Sequence, residues 1–190
     1  MLITIEGLDG AGKTTLARAL GEKLDATVLR EPGGVELSER IRALVTDPEL
    51  RVDPDAEALL YAAARAQLVA ERIRPLVHSG ATLILDRFTD SSLAYQGAAR
   101  GLGIERVRAM NDFGISPDVT FLLRLTPDEA KARRSGEPDR LEREPDEFFA
   151  AIAAAYDELA AAEPGRFRVL DATLPPDQVL TAALDALPET

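Results

Sequence analysis

A glycine-rich string near the amino terminus constrains the fold more than any other part of the sequence. It reads Gly-Leu-Asp-Gly-Ala-Gly-Lys-Thr at residues 7–14, and it follows the short apolar run Leu2–Ile5. An apolar run with β-branched residues predicts a buried strand, and the residues from Lys13 to Leu24 have a helical pattern. Glycines let the backbone curl so that successive N–H groups face one point. The chain is therefore predicted to begin with a strand, a tight turn and a helix in direct succession.

The same string matches the phosphate-binding P-loop pattern G-x-x-x-x-G-K-[ST], and its position between a strand and a helix supports the match. Backbone N–H groups and the positive end of the helix dipole bind the phosphates of a nucleotide there. In this pattern Lys13 reaches the β- and γ-phosphates and the Thr14 hydroxyl binds Mg²⁺. The predicted nucleotide-binding residues are Gly7, Leu8, Asp9, Gly10, Ala11, Gly12, Lys13, Thr14 and Thr15.

Strand and helix patterns alternate along the rest of the chain. Further strands are predicted at Thr27–Arg30, Ala81–Leu85, Val119–Leu125 and Phe167–Leu170, with helices between them. Such alternation is typical of a parallel sheet with helices on both faces. We therefore predict an α/β fold of the P-loop NTPase type, a three-layer α/β/α arrangement around a five-stranded parallel sheet, with residues 1–190 as one domain.

The longest helical pattern extends from Asp53 to Ser79. Asp53 can cap this helix and Pro54 suits its first turn. Pro75 is expected to kink or end it, and Gly80 is expected to stop it.

Net charge and composition limit the classes of function. The net charge of −11 argues against a protein that coats nucleic acid, because such proteins present broad basic surfaces. Cysteine is absent, which excludes disulfide frameworks, thiolate nucleophiles and cysteine-ligated zinc and fits a reducing compartment. No apolar run approaches the ~20 residues that a membrane span requires, and no segment resembles a targeting signal. We expect a soluble, cytoplasmic protein without nucleic-acid or membrane partners.

Asp86 comes directly after the apolar strand pattern Ala81–Leu85. Ligands of parallel sheets bind beyond the carboxyl ends of the strands, so this carboxylate is predicted to lie beside the glycine-rich string. There it would hold Mg²⁺, directly or through water, together with Thr14. The alternative interpretation is a helix cap for the turn that follows.

A charged segment at about residues 133–145 contains glycine, proline and four arginines. Its composition alone is typical of a solvated loop, whereas in a small kinase such a loop serves as a mobile lid. A GTPase is disfavoured, because the guanine-binding pattern Asn-Lys-x-Asp is missing. The most similar string, Glu22–Asp25, lacks the asparagine and lies in the first predicted helix.

Several separated motifs in this order resemble those of bacterial thymidylate kinases, over nearly the whole chain. They are Ile5–Gly10, Arg30–Gly34, Tyr61–Arg65, Asp86–Phe88, Ser91–Gly97 and Asp139–Glu142. The resemblance implies transfer of the γ-phosphoryl group of ATP to thymidine 5′-monophosphate (dTMP), giving dTDP and ADP, with Mg²⁺. It also implies a homodimer. An acceptor phosphate is already ionised, so the reaction needs alignment and charge neutralisation rather than a strong base.

The resemblance also implies roles for the acceptor-site residues. Arg87 clamps the acceptor phosphate with bidentate geometry. Tyr61 stacks on thymine, and Arg65, one helical turn later, hydrogen-bonds a thymine carbonyl. The remaining predicted acceptor residues are Ser92 and Gln96 at the polar edge of the base, Tyr95 at the sugar 2′ position, Asp9 at the sugar 3′-hydroxyl or the metal region, and Arg42 along the site.

The P-loop carries no arginine of its own, and in the resembled family this form relies on a lid arginine for the charge of the transition state. Arg133, Arg134 and Arg140 are the candidates. Ser135 stands directly before Gly136, where an arginine is often found, so the choice among the three candidates stays open. The predicted catalytic set is therefore Lys13, Arg87, Asp9 and these three arginines. Asp171–Thr173 resembles the loop that passes the adenine ring.

Two other functions stay open at this point. The first is a kinase for another nucleotide or for a nucleoside, and Arg87 separates these acceptor classes because a nucleoside has no phosphate to clamp. The second is a regulatory or scaffold protein that binds a nucleotide without turnover, against which the intact Lys13, Thr14 and Asp86 argue.

Overall fold

The computed structural model describes residues 1–188 and contains one five-stranded, all-parallel sheet. The strands are β1 (Leu2–Gly7), β2 (Thr27–Arg30), β3 (Leu83–Asp86), β4 (Val119–Arg124) and β5 (Phe167–Asp171). Their order across the sheet is β2-β3-β1-β4-β5. The predicted α/β fold and all five predicted strands are confirmed, with strand ends that differ by one or two residues.

The helices cover both faces of this sheet. They are α1 (Lys13–Leu24), α2 (Glu36–Thr46), α3 (Pro54–Leu68), α4 (Arg74–His78), α5 (Thr89–Ser92), α6 (Ile104–Met110), α7 (Pro127–Arg133), α8 (Asp146–Ala162) and α9 (Pro176–Asp185), with π-helical turns at Val69–Ile73 and Leu93–Ala99. None of the helices within residues 1–188 is long and apolar enough to cross a membrane.

Alternating side chains of the strands supply two separate apolar layers. Ile3, Ile5 and Ile84 are fully buried and belong to the larger cluster, which includes side chains of α1, α8 and α9. Leu83 and Leu85 belong to the second cluster, which packs on the end of α3 and the π-helical turn after it. Successive side chains of a strand point to opposite faces, so this division follows from the apolar runs that predicted the strands.

The register of the sheet decides where the site lies. Ile5 of β1 is opposite Asp86 of β3 on one side and Phe121 of β4 on the other. The strand order reverses at β1, and ligands of open parallel sheets bind at such a reversal, beyond the carboxyl ends of the strands. The glycine-rich turn after β1 and Asp86 at the end of β3 therefore share one edge of the sheet.

The long helix predicted at Asp53–Ser79 does not end at Pro75. It continues through Pro75 to His78, after the π-helical turn Val69–Ile73. Proline clashes with the carbonyl four residues earlier in a regular α-helix. The i→i−5 pattern of a π turn widens the helix just before the proline, which is how this helix accommodates it.

The segment that joins α7 to α8 is the predicted lid. A capping box starts α7, in which Glu129 N donates to Thr126 Oγ1 at 3.3 Å and Thr126 N donates to Glu129 Oε2 at 2.9 Å. After Arg133 the chain forms turns without helix or strand, as expected from its composition. Arg140 N donates to Thr46 O at 3.2 Å, which attaches this segment to the end of α2.

Candidate active site

The turn between β1 and α1 forms the phosphate cradle. Gly10 and Gly12 adopt φ values of 93° and 92°, which side chains disfavour. A Cβ on Gly10 would lie 2.5 Å from the carbonyl oxygen of Ala130 in α7. The first turn of α1 has no side-chain cap and no acidic residue, so its free N–H groups and the helix dipole attract an anion.

Lys13 is buried beside this cradle. Its Nζ donates to Leu8 O at 2.8 Å and lies 3.6 Å from Asp9 Oδ1. Burial and the nearby Arg87 guanidinium lower the pKa of Lys13 to about 8, although neighbouring carboxylates oppose the shift. The ammonium is therefore mostly charged at neutral pH, and phosphate oxygens would stabilise it further.

Thr14 and Asp86 meet where the metal was predicted. Thr14 Oγ1 donates to Asp86 Oδ2 at 2.5 Å. A hydroxyl and a carboxylate are the hard oxygen ligands that Mg²⁺ prefers, and Mg²⁺ commonly takes one or two protein ligands with phosphates and waters. No group of three or more metal-binding side chains occurs in the described part of the chain. The donor set therefore fits a Mg²⁺ ion that completes its coordination with nucleotide phosphates and water.

All eight predicted acceptor-site residues line one cavity at this edge of the sheet. They are Asp9, Arg42, Tyr61, Arg65, Arg87, Ser92, Tyr95 and Gln96. They come from the P-loop, from α2 and α3, and from the chain that follows β3. Further lining residues that sequence reasoning did not include are Glu31, Pro32, Thr46, Ser91, Asp139 and Leu141.

Arg87 lies between the cavity and the phosphate cradle. Its φ of 72° is in the left-handed region, which is unfavourable for a residue with a Cβ. Its Nη2 donates to Asp9 Oδ1 at 2.5 Å and to the Tyr95 hydroxyl at 3.2 Å. Burial would raise the pKa of Asp9, but Arg87 and then Lys13 outweigh it and hold that pKa well below its usual range.

The buried carboxylate of Glu6 shares two hydrogen-bond partners with Arg87. Glu6 accepts hydrogen bonds from Ser91 Oγ at 2.6 Å and from the Tyr156 hydroxyl at 2.8 Å. Arg87 Nη1 in turn donates to Ser91 Oγ at 3.0 Å and to the Tyr156 hydroxyl at 3.4 Å. Burial, with a contribution from Asp90, raises the pKa of Glu6 to about 7.

Arg65 is held by four acceptors at the far end of the cavity. Nε donates to Glu31 Oε2 at 2.7 Å, Nη1 donates to Ser92 Oγ at 2.9 Å and to Asn111 Oδ1, and Nη2 donates to Phe88 O at 2.9 Å. A guanidinium has five N–H bonds. Among the contacts of residues 1–188, one N–H on Nη2 therefore remains for a ligand, on a side chain that is fixed by its other hydrogen bonds.

A second cavity adjoins the P-loop on the side of the last strand. It is lined by Ala11, Gly12, Thr15, Arg133, Ala172, Thr173 and Pro175, among others. Arg133 Nη1 donates to Ala172 O at 2.7 Å. The predicted P-loop residue Thr15 and the predicted adenine loop thus face the same space.

The three lid arginines lie in different places. A Cβ on Gly10 would be 3.4 Å from the Cβ of Arg133, so Arg133 is beside the P-loop. The Arg134 guanidinium lies 4.3 Å from the centre of the Phe149 ring. Arg140 is held at α2 and α3, where its Nε donates to Val45 O at 2.8 Å and its Nη2 donates to Glu57 Oε2 at 2.7 Å. Which of these three arginines contacts the transferred phosphoryl group is not tested by these positions.

Sequence reasoning missed several polar residues beneath the cavity. Glu57, Tyr61 and Arg65 recur every four residues on α3, and this i, i+4, i+8 spacing could have identified Glu57. Glu6 ends an apolar run directly before the P-loop, which is a weaker signal. The hydroxyl of Tyr156 comes from α8, and nothing in its local sequence indicates a role in the site.

The chain is similar to known proteins along almost its whole length. Residues 5–183 match the family model described as "Thymidylate kinase". A thymidylate kinase of Deinococcus radiodurans is 46% identical over 189 residues, covering 94% of this chain and 92% of the relative. One of Bacillus pumilus is 41% identical over 203 residues, covering 100% of this chain and 96% of the relative. A crystal structure of thymidylate kinase from Ehrlichia chaffeensis superposes with a TM-score of 0.81 at 28% identity, covering 99% of this chain and 98% of that one.

Proposed function

This chain belongs to the thymidylate kinase family and transfers the γ-phosphoryl group of ATP to dTMP with Mg²⁺, and we propose that the groups gathered at the carboxyl edge of its sheet carry out the transfer. The observation that carries the proposal is the position of Asp9. Its carboxylate lies 2.5 Å from Arg87 in the acceptor cavity and 3.6 Å from Lys13 in the phosphate cradle. The cationic groups for the two phosphates thus face each other across one side chain.

The acceptor phosphate binds at Arg87. The guanidinium presents Nη1 and Nη2 to this end of the cavity, and its planar fork suits a phosphate. Ser91 and Tyr156 hold Nη1, so the fork is oriented before the substrate arrives. An ionised phosphate oxygen is already a nucleophile. The only histidine, His78, lies at the end of α4, and no general base is needed.

The donor phosphates bind in the cradle of α1. Lys13 and the free N–H groups of the first turn take up the charge that develops as the γ-phosphoryl group moves. Thr14 and Asp86 would hold Mg²⁺, which supplies further positive charge at the phosphates when bound. Arg133 lies above the same loop and faces the cavity that would receive the adenosine part of ATP.

The base of the acceptor fits the far end of the acceptor cavity. Tyr61 provides a face for stacking, and the N–H of Arg65 that has no acceptor within residues 1–188 provides a donor for a carbonyl oxygen of thymine. Ser92 and Gln96 provide further polar contacts. The Tyr95 hydroxyl donates to Asp9 Oδ2 at 3.2 Å, so its ring is held where it would crowd a 2′-hydroxyl.

We further propose that the chain forms one domain, works as a homodimer and is cytoplasmic. Exposed leucines at Leu37 and Leu44 on α2 and at Leu59 on α3 support a dimer surface formed by these helices. The absence of cysteine supports a reducing compartment, and the net charge of −11 argues against a nucleic-acid partner.

An enzyme-linked ADP-release assay with Mg-ATP tests the activity. We expect the highest kcat/KM with dTMP, compared with the monophosphates of adenosine, guanosine, cytidine and uridine and with thymidine itself. Preference for another monophosphate would agree with the roles of the P-loop and Arg87. It would contradict the base contacts proposed for Tyr61, Arg65, Ser92 and Gln96. Turnover of thymidine would contradict the phosphate clamp, and nucleotide binding without any ADP release would favour a regulatory protein.

A further inference from the structure

A buried carboxylate controls one of the groups that faces the base. Glu57 on α3 is 0% exposed, and three side chains donate to it. Gln96 Nε2 donates at 2.9 Å, Arg100 Nη2 at 3.0 Å and Arg140 Nη2 at 2.7 Å. Arg100 Nε also donates to Oε1 at 3.2 Å, so both oxygens of the carboxyl group accept hydrogen bonds from guanidinium groups.

Because guanidinium groups can only donate, both oxygens of Glu57 act as acceptors in this cluster. The nitrogen of the Gln96 amide must therefore face Glu57, and its Oε1 must face the other way. Gln96 lines the acceptor cavity, whereas Glu57 does not. Within residues 1–188 no group donates to Oε1 of Gln96, so this oxygen is left for a ligand.

We propose that Glu57 is a positioning residue that sets pyrimidine selectivity through the Gln96 amide. This inference rests on the proposed function, which puts the base in this cavity. Thymine and uracil carry a hydrogen on N3, which donates to a carbonyl oxygen. Cytosine carries a lone pair on N3, which repels that oxygen. By holding the oxygen toward the base, Glu57 favours thymine and uracil and disfavours cytosine.

The experiment compares dTMP and dCMP in the Glu57→Gln variant of the full chain. A glutamine at this position can donate to Oε1 of Gln96, which permits the Gln96 amide to turn over and present its nitrogen to the base. We expect the ratio of kcat/KM for dTMP to that for dCMP to fall at least about tenfold, since an inverted amide leaves a polar group mismatched at a buried site. A higher KM for dTMP should accompany the fall.

Arg100→Gln is the matched control. It removes another partner of Glu57 and a positive charge, but it leaves the Gln96 contact in place. The selectivity ratio should therefore stay within about twofold of the wild-type ratio. A fall in Arg100→Gln equal to that in Glu57→Gln would assign the effect to general disturbance of the cluster and overturn the proposal.

Gln96→Met keeps the proposal testable if Glu57→Gln does not fold. It removes the amide at similar volume, and we expect the same loss of selectivity. An unchanged ratio of kcat/KM for dTMP to that for dCMP in Gln96→Met, or in a folded Glu57→Gln variant, would overturn the inference. It would not contradict the proposed function. Failure of the wild-type chain to phosphorylate dTMP would instead contradict the proposed function.

Discussion

Arg87 combines an unfavourable backbone conformation with contacts to four other side chains. Its backbone adopts φ 72°, and its guanidinium contacts Asp9, Ser91, Tyr95 and Tyr156. A left-handed conformation costs roughly 1–2 kcal/mol for a residue with a Cβ. The surrounding hydrogen bonds hold this conformation, in which the guanidinium lines the acceptor cavity and contacts Asp9 of the P-loop.

We expect Arg87→Ala to reduce kcat/KM for dTMP by at least ~10²-fold, because the acceptor phosphate loses both its charge partner and its alignment. Arg87→Lys should recover only part of the loss, since an ammonium lacks the planar fork. Steady-state kinetics at saturating ATP check both variants. Wild-type kinetics in Arg87→Ala would contradict the clamp.

Glu6 makes a pH-dependent contribution to stability. Its pKa is about 7 in the folded chain, mainly because of burial, and 4.5 is the ordinary value. The folded state therefore binds this proton more tightly than the unfolded state does. Its stabilising effect is complete below about pH 4.5 and is lost as the pH rises to about 7, by about 3 kcal/mol at most.

Glu6→Gln removes this titration. We expect the free energy of unfolding of the variant, minus that of the wild type, to increase between about pH 4.5 and about 7 and to level off above. Urea denaturation at several pH values measures the difference, and the other carboxyl groups cancel between the two proteins. A difference that does not change with pH would show that Glu6 titrates normally.

Among the elements, the segment predicted to be the lid, at about residues 133–145, joins the two halves of the site. At its start, α7 packs on Gly10 of the P-loop through Ala130 and Arg133. Further along, Arg140 Nε donates to Val45 O at 2.8 Å and Nη2 donates to Glu57. A substitution in this segment is therefore expected to affect both the ATP site and the dTMP site.

We expect Arg133→Ala to lose kcat by ~10³-fold or more, by analogy with arginine fingers, and Arg140→Ala to affect mainly the KM for dTMP. Arg143→Ala is the matched control, since Arg143 Nε donates only to Pro138 O at 3.1 Å within its own segment. Single-turnover kinetics separate the chemical step from binding. Equal, mild losses in Arg133→Ala, Arg134→Ala and Arg140→Ala would mean that the charge is shared.

Considered as a whole, the molecule leaves apolar side chains exposed on one pair of helices. Leu37 and Leu44 are 46% and 48% exposed and seven residues apart on α2, and Leu59 of α3 is 57% exposed. The inner sides of these helices pack on each other through Ile41, Val45 and Ala64. An apolar surface of this kind is typical of a protein–protein interface.

We expect Leu59→Glu to convert the proposed homodimer into a monomer, because a charge would be buried at the interface without a partner. Sedimentation equilibrium measures the mass of the assembly, which should fall from that of two chains to the 20.5 kDa of one chain. Val169→Glu, on the exposed side of β5, is the control and should leave the assembly unchanged. A wild-type protein that sediments as a monomer would contradict the dimer.

Short-range patterns were sufficient for the strands, for the P-loop and for Asp86. The run Leu2–Ile5, the glycines after it and Asp86 after Leu85 each depend on backbone sterics or periodicity within a few residues. Parallel pairing then brings the carboxyl ends of the strands to one edge, whereas the strand order and register come from the structure alone. The eight acceptor-site residues were predicted from the motifs that resemble those of thymidylate kinases, and the parallel sheet explains why they meet at one edge.

The partners of these residues depended on packing between distant segments. Tyr156 reaches Glu6 across 150 positions of the chain, and Arg140 reaches Glu57 across 83. Local sequence specifies backbone conformation, but which buried donor meets which buried acceptor is set only when helices and strands pack, since each buried polar group must find a partner there. The sequence thus determined the scaffold and the reacting groups, and the tertiary structure decided what orients Arg87, Gln96 and Arg140.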